Sequence, residues 1–160
     1  MIIPTKVLEI LENMKNDGDI STIMYDSPNS ANVRLDDSPD PIALLYLISD
    51  WDIDIEHGVS KEIATVKLFF AKRADFDVKG EDKDLIVSEM SLIGREFISN
   101  LLAEPNLRVV DDIIHMRNVW GKYDSFVCGV EISVKIEQKQ GSCLYTEPEP
   151  EPEPEPNEDN

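Results

Sequence analysis

The sequence predicts an α+β domain, a mainly antiparallel sheet with an N-terminal helix and one long helix packed on it. Three observations carry that prediction. Residues 126–138, FVCGVEISVKIEQ, alternate apolar and polar side chains at period two, as a strand with one covered face does. Residues 85–102, LIVSEMSLIGREFISNLL, place Ile86, Met90, Ile93, Phe97 and Leu101 on one helical stripe. The remaining apolar segments are short, β-rich and separated by turn residues, so strands outnumber helices.

The elements follow in chain order. In PTKVLEILENMKNDGD, Val7, Leu11 and Met14 recur at helical spacing with Leu8 and Ile10 beside them. Pro4 suits the first turn, and Asn16-Asp17-Gly18 ends this helix. Residues 20–26 and 31–37 then read as two strands around Ser27-Pro28-Asn29-Ser30, and Ser38-Pro39-Asp40-Pro41 closes the second. Residues 42–55 read as a third strand running towards Glu56-His57-Gly58. Residues 61–73, KEIATVKLFFAKR, are its antiparallel partner, with Ala64, Val66, Leu68 and Phe70 on one face. The long helix begins near the acids of Gly80-Glu81-Asp82 and stops before Pro105. Two closing strands, 107–120 and 126–138, complete the domain over residues 1–145, with Phe126, Cys128, Val130, Ile132, Val134 and Ile136 facing the core.

From Thr146 the chain reads TEPEPEPEPEPNEDN, in which alternate prolines lack an amide donor and the glutamates repel one another. This acidic Glu-Pro segment, 146–160, is expected to be disordered. In polyproline II its ten residues from Glu147 would span about 30 Å.

The charge is the strongest compositional signal. The 160 residues carry a formal net charge of -18, and residues 1–146 alone retain 26 acids against 15 bases. A field of that sign repels phosphate backbones and anionic lipid, so direct nucleic-acid and membrane partners are not expected. No run is long and apolar enough to span a bilayer, and the N-terminus lacks the uninterrupted apolar core of a signal peptide. Cys128 and Cys143 have neither the number nor the spacing of a disulfide framework or zinc site, which points to reduced thiols and a cytoplasm.

The segment Asp50-Trp51-Asp52-Ile53-Asp54-Ile55-Glu56 holds the candidate site residues. An EF-hand loop counted from Asp50 needs glycine at its sixth position and glutamate at its twelfth, where this chain has Ile55 and Lys61. Period two instead makes Asp50, Asp52, Asp54 and Glu56 the wet face of a strand whose Trp51, Ile53 and Ile55 face the core. As a row, these acids are the candidate subunit interface, set to meet a basic surface. His57 and His115 have no second ligand at a metal-presetting spacing, although Asp111 shares a strand face with His115, and Cys128 reads as a small buried hydrophobe. No nucleophile elbow, phosphate loop, dinucleotide fingerprint or HExxH occurs. No catalytic, cofactor or metal residue is therefore assigned.

The layout as a whole resembles the tail-terminator or tail-completion (head-tail connector) proteins of tailed bacteriophages. The resemblance spans residues 1–144. It runs from the N-terminal helix through the hairpin around Glu56–Gly58 and the helix after FAKRADFDVKGEDKD to the closing pair ending in GVEISVKIEQKQGSCL. It implies a structural, non-enzymatic virion protein without cofactor, a ring-forming subunit at the head-tail junction, assembled in the host cytoplasm. Its partners would be copies of itself and the neighbouring connector or tail proteins. The alternative that the charge allows is an acidic cytoplasmic adaptor or inhibitor that binds a basic protein. A small carboxylate enzyme assembled by the fold is the third class.

Overall fold

The computed structural model describes residues 2–56, 59–75, 77, 79–123 and 126–138. Helix α1 (Ile3–Asp17) has Pro4 in its first turn and ends at Gly18, whose φ of 93° lets its N–H reach back to the last carbonyls. Strand β1 (Thr22–Asp26) follows, then helix α2 (Pro28–Arg34) and a 3₁₀ turn, Leu35–Asp37. The next strands are β2 (Ile42–Tyr46), β3 (Trp51–Glu56) and β4 (Val59–Arg73). Helix α3 (Gly80–Ala103) leads to β5 (Leu107–Val109), β6 (His115–Lys122) and β7 (Val127–Gln138).

The strands form one sheet in the order β1-β2-β4-β7-β5, with β3 beside β4 and β6 beside β7. All pairings are antiparallel except that of β1 with β2. The α+β class and the mainly antiparallel sheet under two helices are therefore present as read from the sequence. On the helix face, Ala43, Leu45, Val66, Leu68, Phe70, Val130, Ile132 and Val134 meet Val7 and Leu11 of α1 and Phe97 of α3 in a single buried cluster. Each such large side chain contributes roughly 1.5–3 kcal/mol on leaving water. A smaller cluster on the opposite face joins Met24, Ala31, Leu35, Leu44 and Phe69 under α2. Beyond that corner the second face is open, with Lys67 exposed and Thr65, Ser133 and Lys135 half-buried.

Several sequence expectations are corrected. Residues 31–37 are helical, not a strand: the Ser27 hydroxyl accepts the Ser30 N–H at 3.4 Å and Pro28 occupies the first turn, so the presumed turn is a helix start. With a helical crossover in place of a hairpin, β1 runs parallel to β2. Residues 42–55 and 107–120 are each two strands on one partner edge. Leu45 lies opposite Leu68 and Trp51 opposite Ala64, which leaves two surplus residues in the β2–β3 break. In the β5–β6 break the Asp111 carboxylate accepts the Lys135 N–H at 2.9 Å, so it caps the sheet and does not share a strand face with His115. The buried stripe of α3 is Val87, Met90, Gly94, Phe97 and Leu101, turned slightly from the one read from sequence, with Ile86 and Ile93 at its half-buried flank. Gly94 explains the rotation, because a Cβ there would lie 2.9 Å from Ile132 Cδ1 and 3.2 Å from Met116 Cε.

Candidate functional site

Strands β3 and β4 form a two-stranded arm. Their register runs from Trp51 opposite Ala64 to Glu56 opposite Val59, whereas β4 meets β7 only from Ile63 onwards. Residues 59–62 therefore pair on one side only, and the outer edge of β3 has no strand partner among the described residues. Asp52 and Asp54 lie across from Ile63 and Lys61, on the open face of the sheet. Asp50 precedes the strand, exposed, and its carboxylate accepts the Ser49 hydroxyl at 2.9 Å. Glu56 is the last residue of β3. His57 and Cys143 lie outside the described residues, as does the Glu-Pro segment.

The acidic alternation stands, but the burial expected of its apolar counterpart does not. Trp51, Ile53 and Ile55 share the face of Ala64 and are 46%, 51% and 73% exposed. The buried cluster on β4 ends at Ala64, so no helix among the described residues covers the arm. Period two reports which residues share a face; what lies on that face is decided by the helices, which stop short. Glu62, across from Ile53, also keeps one carboxylate oxygen out of solvent with no donor among the described residues.

A second polar group occupies the open face near the root of the arm. The Lys122 ammonium donates to the Tyr46 hydroxyl at 2.8 Å and to Glu131 Oε2 at 3.0 Å, while Arg117 donates to the same oxygen at 3.1 Å. The Tyr46 and Tyr123 hydroxyls are 2.9 Å apart, and the ammonium stands about 5 Å from the ring centres of Tyr46, Phe69 and Tyr123. Burial alone would raise the Glu131 pKa, but hydrogen bonds and charge from Lys122 and then Arg117 outweigh it and hold the carboxyl below its usual range. Burial pushes the Tyr46 phenol up to about 12 and raises Tyr123 as well. An open basin of about 450 Å³ adjoins this group, between Ser27, Tyr46, Leu47, Ser49 and Lys67. The lysine's charge is matched by Glu131 and both phenols are held neutral, so the group ties β2, β6 and β7 together. It draws on residues 76 or 77 positions apart, and no local signal in the sequence announces it.

The phenols set an alkaline limit to stability. An unfolded tyrosine ionises near pH 10, so between there and about pH 12 the unfolded chain has lost the proton that native Tyr46 keeps, and unfolding becomes easier as pH rises. Urea midpoints measured from pH 9 to 12 should fall, and the fall should be shallower in Tyr46→Phe. An equal slope in the two proteins would contradict the buried phenol pair.

His115 is exposed at the start of β6, opposite Ser133, and Cys128 is fully buried on the helix face, as its strand position suggests. Among the described residues no group of three His, Cys, Asp or Glu side chains could hold a metal ion, and no helix is long and apolar enough to cross a membrane. No protein-family model and no curated protein matches the chain.

Proposed function

We propose that the chain is a structural subunit that acts by assembly and without catalysis, as a component of the ring at the head-tail junction of a tailed-phage virion, built in the host cytoplasm. The observation that carries this reading is the arm. Trp51, Ile53 and Ile55 keep a row of apolar surface in water on a strand whose outer edge has no strand partner among the described residues, an arrangement that invites aggregation unless a partner covers it. The acidic row of Asp50, Asp52 and Asp54 gives the partner surface a required sign, positive, and Glu56 continues the row in sequence. Copies of the chain and the adjoining connector or tail proteins are the partners. The body's negative charge makes isolated subunits repel at low ionic strength, so dilute protein is expected to need a preformed neighbouring ring as template, whereas physiological salt and high concentration let copies meet directly.

Mass spectrometry of purified particles tests this, for a gene that lies in a phage genome. Several stoichiometric copies per particle, placed at the junction by electron microscopy, are the expected result. Absence from the particle, with the protein recovered on a basic host or phage protein, would replace the ring subunit by the acidic adaptor.

A further inference from the structure

We propose that the subunits join by sheet continuation, β3 of one copy pairing antiparallel with β6 of the next. This rests on the reading of the chain as a self-assembling subunit and specifies the contact. Four observations converge on it. Among the described residues both edges are free: β3 pairs with β4 alone, and β6 with β7 alone. The directions agree, because three successive antiparallel steps, β3 to β4 to β7 to β6, leave β6 opposite in sense to β3. A copy displaced across the sheet, and shifted along the strands because β3 is level with residues 59–64 of β4 and β6 with residues 67–73, therefore presents β3 antiparallel to β6, with like faces on the same side.

The side chains agree as well. On the open face, Asp52 and Asp54 of the arriving strand come beside the row of β6 that carries His115 and Arg117, which lie opposite Ser133 and Glu131. The Arg117 side chain is 71% exposed and gives one nitrogen to Glu131, which leaves other donors of its guanidinium facing outward. On the helix face, Trp51, Ile53 and Ile55 come beside the row of Met116 and Trp120, the latter 53% exposed with its indole N–H donating to Asp84.

Charge also rejects the simplest alternative. A two-fold β3–β3 contact would set the aspartate rows of two copies side by side on one face, and like charges on neighbouring strands are destabilising. The β3–β6 contact opposes the aspartates to Arg117 and is heterologous. It therefore propagates from copy to copy and closes into a ring when the rotation per step permits.

Cross-linking of the full-length protein at high concentration and physiological salt tests the contact. In a Cys143→Ser background, Asp54→Cys and His115→Cys are placed singly and together, since both sites are exposed, and a short bifunctional thiol reagent is added. The double variant should give a ladder of cross-linked oligomers, a mixture of the two single variants should stop at dimers, and Asp54→Cys alone should give none. Self-linking of Asp54→Cys, or a double variant that stays monomeric or assembles without a ladder, would overturn the contact. The particle composition described above is read independently, so this pairing can fail while the virion assignment stands.

Discussion

Gly129→Ala is expected to prevent folding or to cost on the order of 4 kcal/mol or more, an exceptional loss for one methyl group. Gly129 sits in β7 opposite Ala71 of β4 and Val119 of β6. A Cβ built there falls on the Phe70 carbonyl oxygen and comes 2.9 Å from the Ala71 Cα. Both are backbone, and β4 cannot retreat without breaking its ladder with β2 on the other side. Urea denaturation of the purified variant checks this, with recovery in the soluble fraction as the readout where no folded protein is obtained. A variant within 1 kcal/mol of the parent would show that the central strands can separate freely.

Phe97→Ala carries the second large effect, a loss of about 3–5 kcal/mol. The Phe97 ring is fully buried with its centroid 5.7 Å from that of Phe70, at the centre of the contact between α3 and the sheet. The matched control is Leu92→Ala on the same helix. Leu92 is 63% exposed, and alanine favours helix at least as well, so the change should stay within about 0.5 kcal/mol. Comparable losses in the two variants would mean that α3 packs with another phase.

The sequence was most legible where a single strand or helix decides its own pattern. The inward side chains of β7 from Cys128 to Ile136 and those of β4 from Ala64 to Phe70 were readable because period two ties face to position. Phe126 continues the same alternation but lies just outside the strand, with a φ of 50° and partial exposure. Helix α2 leaves little trace in the sequence although Ser27-Pro28 carries a capping signal, because seven residues are too few for a periodic stripe. The acidic row of the arm was legible as a row. Exposure of Trp51, Ile53 and Ile55 was not, since it depends on where α1 and α3 end. The Lys122 group was out of reach for the same kind of reason: its members meet only after β2, β6 and β7 have been placed.

The continuity of β4 gives the arm a mechanical property. Val59 at its tip and Arg73 in the body belong to one uninterrupted strand, held to β7 from Ile63–Glu137 to Arg73–Val127. Ladder hydrogen bonds lie across the strand axis, so a pull on the tip directed along β4 loads them together in shear instead of peeling them one at a time. The two surplus residues lie on the β2–β3 side, where slack can be taken up without slipping the β4–β7 register. Traction at the tip is therefore delivered to the middle of the sheet, and β4 serves as the tendon of the fold.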